Sequence, residues 1–167
     1  MRRFAFAAFV LALQLVPASA QDQWREFRSD SDGFSVSLPQ TPTITSRRVG
    51  TSNASQTNFL IDGPTTYLVS VVQLEKGTGR KNPDQAYFQN LLKNYVEGSK
   101  TTLRTSKAAT IAGKPGIDGI SDAGSSAHLV QVLASGDRIY MVVYVGPKGQ
   151  ENSAGPTRYR SSFKLLN

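Results

Sequence analysis

From Thr66 to Leu74 the chain reads TYLVSVVQL, and Tyr67, Leu68, Val69, Val71, Val72 and Leu74 leave almost no polar face. Such a run predicts a central strand buried on both sides. Around it the period drops to two. Phe34-Ser35-Val36-Ser37-Leu38 alternates perfectly and Pro39 stops it, while Trp24 to Ser29 alternates less regularly. Thr43 to Val49 and Ser55 to Ile61 read as two further strands, the second ended by Asp62-Gly63-Pro64.

Only one stretch has strong helical spacing. Phe88, Leu91, Leu92, Tyr95 and Val96 recur at i, i+3, i+4, i+7 and i+8, a single apolar stripe for one sheet face. Asn82 as cap, Pro83 at the first helical position and Gln85 in a capping box predict the start, and Gly98 in a left-handed conformation predicts the end. Strands then resume at Leu103 to Ile111, Ile117 to Ser121, His128 to Leu133 and Ile139 to Val145. The first two are joined by the turn Ala112-Gly113-Lys114-Pro115-Gly116, and the last two by the hairpin Ala134-Ser135-Gly136-Asp137. A final helix is expected within Glu151 to Lys164, with Gly155-Pro156 delaying its start to Thr157. Runs of strands broken by one middle helix and closed by another predict an α+β fold with an antiparallel sheet flanked by helices.

The first residues change the picture from fold to compartment. Arg2 and Arg3 precede an apolar run from Phe4 to Val16, and Pro17-Ala18-Ser19-Ala20 supplies a small-residue cleavage site. This is the layout of an export signal cut after Ala20, leaving residues 21–167 as one domain, periplasmic or secreted. The apolar run is shorter than the ~20 residues a membrane span needs, so no span is expected after cleavage. Ala5 stands where the twin-arginine signal prefers a bulky apolar residue, which favours ordinary secretion. With no cysteine in the chain, disulfides, thiolate metal sites and a lipid-modified cysteine are excluded.

The formal net charge is +7, from 19 Lys and Arg against 12 Asp and Glu, and the signal accounts for two of the positive charges. The rest are scattered, from Arg47-Arg48 through Lys107 and Lys148 to Lys164, with no basic stripe interleaved with aromatics. Nucleic acid is therefore not an expected partner. An anionic envelope component or another envelope protein is.

Candidate chemistry is sparse. The cluster Asp30-Ser31-Asp32-Gly33 suggests a calcium loop, but such a register puts Arg28 first and Pro39 twelfth, where carboxylates are required. Turn chemistry explains the same residues. His128 is the single histidine, with Ser121, Asp122, Ser125 and Ser126 near it in sequence, but no G-x-S-x-G elbow accompanies it. Ser161 and Lys164 have the S-x-x-K spacing without its companion motifs, and Gly77-Thr78-Gly79-Arg80-Lys81 has only the composition of a phosphate loop. No metal and no cofactor is expected. Trp24, Tyr67, Tyr140, Tyr144 and Tyr159 serve either as core or as the lining of an apolar or sugar-like pocket.

In order along the chain, WREFRSDSDGFSVSLPQTP (Trp24 to Pro42), AGKPGIDG (Ala112 to Gly119), GDRIYMVVYVG (Gly136 to Gly146) and RYRSSFKLL (Arg158 to Leu166) resemble exported bacterial proteins of the PsbP/Mog-like fold. The resemblance implies an antiparallel sheet flanked by helices. Its relatives are mostly binding or accessory proteins: an extrinsic subunit of photosystem II, a nuclear-transport factor that binds a small GTPase, and exported proteins without an assigned role. Neither specific activity carries over, since function resides in sites and not in folds. The expectation is an exported, non-enzymatic accessory protein of the cell envelope. Alternatives are a small-ligand binding module on a concave aromatic sheet face and a hydrolase using His128 with a nearby serine. The residues expected on a ligand or partner surface are Tyr67, His128, Tyr140 and Tyr144.

Overall fold

A computed structural model describes residues 24–50 and 53–166. The expected export signal and its cleavage point lie outside the described residues. Among the described residues five strands come first: β1 (Arg25–Ser29), β2 (Phe34–Leu38), β3 (Thr43–Arg48), β4 (Ser55–Ile61) and β5 (Thr66–Gln73). Helix α1 (Gln85–Gly98) leads to β6 (Thr102–Ile111), β7 (Lys114–Ala123), β8 (Ser126–Ser135) and β9 (Arg138–Pro147), then helix α2 (Ala154–Ser162) and β10 (Lys164–Leu165).

Seven strands form one sheet in the order β3-β4-β5-β9-β8-β7-β6, with every neighbouring pair antiparallel. Two hairpins build β3-β4-β5 and three build β6-β7-β8-β9. The segment through α1 carries the chain to the far edge, and β9 closes the sheet by pairing with β5 from Thr66↔Val145 to Gln73↔Arg138. A smaller sheet, β1-β2-β10, lies on one face with α2, and α1 lies on the other.

This sandwich explains the unbroken apolar runs. On β9, Tyr140, Val142 and Tyr144 turn toward the small sheet, and Ile139 and Val143 toward the α1 side. On β8, Ala127, Leu129 and Leu133 face the first way, Val130 and Val132 the second. Alternation of successive side chains is obligatory in a strand, so a strand covered on both faces must be apolar at nearly every position. Phe34, Val36, Leu38 and Phe163 fill the layer under the small sheet. Each such buried side chain is worth roughly 1.5–3 kcal/mol. On the other face Phe88 and Leu92 seat the α1 stripe.

Among the described residues no helix is long and apolar enough to cross a membrane. The helix boundaries differ from the sequence expectation. Asp84, not Asn82, caps α1: its Oδ1 accepts the Tyr87 N–H at 2.9 Å. A carboxylate there satisfies an orphan donor and complements the helix dipole, so the helix begins after Pro83 instead of at it. At the other end Gly98 remains inside the helix, and the left-handed residue is Lys100, with φ 55. The Lys100 N–H donates to Glu97 O at 3.1 Å and the Thr101 N–H to Val96 O at 3.0 Å, a Schellman closure with lysine where glycine is usual. Helix α2 starts at Ala154, not Thr157. Pro156 is tolerated because the first-turn N–H groups have no helical partner to lose. The helix ends before Lys164, and Phe163, extended at φ −64 and ψ 128, turns the chain into β10.

The glycine therefore stands two residues before the position that needs it. Gly98→Ala is expected to stabilise the fold by ~0.4–1 kcal/mol. Lys100→Gly should add ~1 kcal/mol by relieving the left-handed backbone. Urea unfolding measures both, and a loss of stability in Lys100→Gly would contradict the closure.

Candidate functional site

The acidic cluster is a chain reversal anchored from three sides. The Gly33 N–H donates to Ser29 O at 2.9 Å, and Gly33 takes φ 71. Ser29 and Ser31 hydroxyls donate to Asp32 Oδ2 at 2.7 and 2.9 Å, while Arg28 Nε donates to Asp30 Oδ1 at 2.7 Å. From β9, Arg138 Nη2 donates to Ser31 O at 2.8 Å and the Tyr140 hydroxyl to Asp32 O at 2.9 Å. These bonds use both carboxylates and two carbonyls of the loop to hold β1 against β2 and to tie the hairpin to the large sheet.

The glycine-rich loop does hold an anion, and it is the chain's own. Gly77 and Gly79 N–H groups each donate at 2.8 Å to the two oxygens of the Asp137 carboxylate. Those two backbone donors hold the Asp137 pKa below the usual carboxylate range. The loop is thereby fastened to the β8-β9 hairpin.

The four residues expected on one ligand or partner surface do not meet. Tyr67 pairs with Tyr144 across β5-β9, and Tyr140 shares their face. His128 pairs with Val145, the neighbour of Tyr144, and so points to the opposite, α1, face. Tyr140 and Tyr144, each 2% exposed, belong to the core between the sheets and line no shared concave surface with Tyr67, which at 8% exposed joins that core and borders a separate cleft beside Trp24. Edge-on ring contacts join Tyr67 to Tyr144 at 5.4 Å and to Tyr159 at 5.2 Å, and Tyr140 to Phe163 at 5.8 Å. Strand parity decides this separation.

His128 sits under the last turns of α1. Its Nδ1 and the Tyr95 hydroxyl share a hydrogen bond of 2.8 Å, and burial pushes the Tyr95 phenol up to about 12. Ser121 is its cross-strand neighbour on β7, 1% exposed, and accepts from Thr101 Oγ1 at 2.9 Å. Ser99 continues this chain of hydroxyls at 3.1 Å from Thr101 and donates to Tyr95 O at 2.7 Å. Asp122, one residue on, faces the other side of β7. There the β6 irregularity between Leu103 and Thr105 presents Arg104, whose Nε is 3.1 Å from Asp122 Oδ2 and whose Nη1 is 2.7 Å from Glu151 Oε1. Lys148 Nζ lies 3.4 Å from the same Asp122 oxygen. Ser121, His128 and Asp122 are thus adjacent in the fold, but each is engaged elsewhere, and the fold does not assemble them into a nucleophilic triad. Ser161 and Lys164 likewise separate, the first in α2 and the second in β10 paired with Ser35.

A surface that the sequence reading missed lies on the α1 side of β3, β4 and β5. Helix α1 contacts mainly β6, β7 and β8, and among the described residues no helix covers β3 and β4; at the border, on β5, Ser70 is buried and Leu68 and Val72 pack with the α1-side core. Its rows are set by register: Thr43, Leu60 and Leu68; Thr45, Asn58 and Ser70; Arg47, Gln56 and Val72. Arg47 donates through Nε and Nη2 to Gln56 Oε1 at 3.0 and 2.8 Å, and Gln56 Nε2 donates to Ser70 Oγ at 2.8 Å and Asn58 Oδ1 at 3.3 Å. This polar ladder lies beside the half-buried Leu60 and Leu68. The signal was present in Gln56 and Asn58, polar at alternate positions where a covered strand would be apolar.

No family model matches the chain, and no curated protein matches it either. It is similar to the solution structure of cyanobacterial PsbP (CyanoP) from Synechocystis sp. PCC 6803, with a TM-score of 0.56 and 12% identity over 92% of this chain and 99% of that one. A crystal structure from Bacteroides thetaiotaomicron VPI-5482 aligns at a TM-score of 0.41 and 12% identity, over 87% of this chain and 49% of that one, a likeness too weak to bear on the fold. The fold is PsbP-like, an α+β arrangement dominated by antiparallel sheet.

Burial lowers the His128 pKa from its ordinary 6.5, against the opposing pull of the Asp122 carboxylate. Below that value the unfolded chain binds a proton that the folded ring resists. Stability is therefore complete above pH 6.5 and falls as the pH drops toward the folded pKa. Urea midpoints measured from about pH 7.5 to about pH 5 should decline toward acid, with a shallower decline in His128→Gln. Equal slopes in the two proteins would show that the ring does not titrate with folding.

Proposed function

We propose that this chain is an exported, non-catalytic accessory protein that docks on another envelope component through the open α1-side face of β3 and β4, bordered by Leu68 of β5. The observation that carries the reading is that half-face itself, where Leu60 and Leu68 lie beside a hydrogen-bonded ladder headed by Arg47. A preformed flat surface with a small apolar patch and a fixed polar row binds without ordering a loop, so little conformational entropy opposes association. The exposed edge strand β3 adds Arg47, a cationic margin suited to an anionic partner. The export-like N-terminus supports an envelope location, and a PsbP-like fold accords with a binding role. The polar clusters support it as well: Asp137, Asp32, Ser121 and His128 each serve a structural bond.

The absence of cysteine in the sequence allows a direct test. Asn58→Cys carries a photo-crosslinker on the docking face, and Lys107→Cys carries it on β6 as the control. In envelope extract the first should yield one recurrent adduct that the second does not. Adding Leu60→Glu should reduce that adduct at least about tenfold without moving the thermal midpoint, as expected for loss of a central contact. Identical adducts from both positions, or no effect of Leu60→Glu, would overturn the reading.

A further inference from the structure

On the opposite side of the large sheet a cleft of about 420 Å³ opens between Trp24, Thr65, Tyr67 and the first residues of α2. Tyr67 is 8% exposed, lines this cleft, and its hydroxyl has no hydrogen-bond partner among the described residues. Gly155 keeps that hydroxyl open: a Cβ there would lie 3.3 Å from Tyr67 Oη and 4.0 Å from the Trp24 ring. Ala154 and Gly155 also bring the N-terminus of a nine-residue helix to the cleft, and Ser153 makes no side-chain cap bond. Pro156 has no N–H, and the first helical bond is Thr157 N–H to Ser153 O at 3.2 Å. The Ala154 and Gly155 donors therefore have no partner among the described residues. Arg158, one turn on, holds its guanidinium 5.3 Å from the centre of the Trp24 ring and forms no salt bridge among the described residues.

The polar lining thus consists of hydroxyls, backbone N–H groups, an indole and a guanidinium, and among the described residues no carboxylate lines the cleft. Donors converging at a helix N-terminus beside an arginine select an anion. The aromatic wall, with the Trp24 and Tyr67 rings 5.5 Å apart and nearly perpendicular, selects a flat apolar body attached to it. We infer that this cleft binds a small planar carboxylate, its carboxyl group on Tyr67 Oη, Arg158 and the Gly155 N–H and its body against Trp24. The site is independent of the docking face, since Tyr67 and Leu68 project from opposite sides of β5.

Trp24 is the chain's one tryptophan, so its fluorescence reports the cleft directly. Benzoate titrated into the purified protein at constant ionic strength should change Trp24 emission along a saturating curve. Acetate should bind more weakly and benzyl alcohol should give no saturable change. Arg158→Gln and Tyr67→Phe should each weaken benzoate by about tenfold, as expected for losing a hydrogen bond to a charged group. Gly155→Ala should weaken it by crowding the hydroxyl, and Leu60→Glu should leave it unchanged. Thermal midpoints identify any variant that fails to fold, and Arg158→Gln, at an exposed position, keeps the test valid if Tyr67→Phe does not fold. Saturation by inorganic phosphate in preference to benzoate would overturn the carboxylate assignment. A linear response, or equal affinity in wild type and Arg158→Gln, would overturn the site.

Discussion

The antiparallel pairing of β5 with β9 joins two separately built halves of the chain into one sheet. β3, β4 and β5 are sequential hairpins, as are β6 to β9, and each half alone would expose an apolar strand edge. The seam brings Val69 opposite Val142 and Tyr67 opposite Tyr144, and side chains on both of its faces enter the two core layers. Since contacts across it span more than sixty residues of sequence, its formation must overcome the loop-closure entropy of everything between. The gain is burial on two faces at once.

Polar contacts reinforce the same junction. Asp137, in the hairpin that starts β9, holds the Gly77 and Gly79 loop that leaves β5, and Gln73 Oε1 accepts from Arg138 Nε at 2.8 Å. Arg138 and Tyr140 then reach the β1-β2 turn. One end of β9 is therefore bonded to β5, to the loop before α1 and to the small sheet. Groups that resembled a phosphate loop and a calcium loop are fasteners of this junction, because backbone donors and carboxylates of a turn satisfy each other when a neighbouring strand supplies the partner.

The two faces of the sheet have different coverage, and this asymmetry separates the two surfaces assigned here. One side carries the small sheet and α2, whose N-terminus leaves a cleft beside Trp24. The other carries α1, whose main contacts among the described elements are β6, β7 and β8. A single helix is about 10 Å wide and strands are ~4.8 Å apart, so it covers two or three strands and leaves the rest open. The open strand β4 bears Gln56 and Asn58 where covered ones bear Val130 and Val132.

The amino-acid sequence by itself determined the α+β class, the approximate positions of β1 to β9, the apolar stripe of α1 and the turn at Gly33, because these follow from local periodicity and from backbone conformations only certain residues adopt, whereas β10 begins at Lys164, inside the expected last helix, and β7 begins at Lys114, inside the expected turn. It also held the alternation that marks β4 as half open. Helix ends were less legible: Asp84 and Asn82 are equivalent caps locally, and Lys100 takes the left-handed position that Gly98 was expected to fill. Only the tertiary structure decided which faces the tyrosines and His128 share, since pairing register, not sequence proximity, puts Tyr144 and His128 on opposite sides. It alone brought Arg158 and Gly155 to Trp24 and Tyr67, residues distant in the chain that meet because α2 packs across the face on which β1 and β2 begin the core.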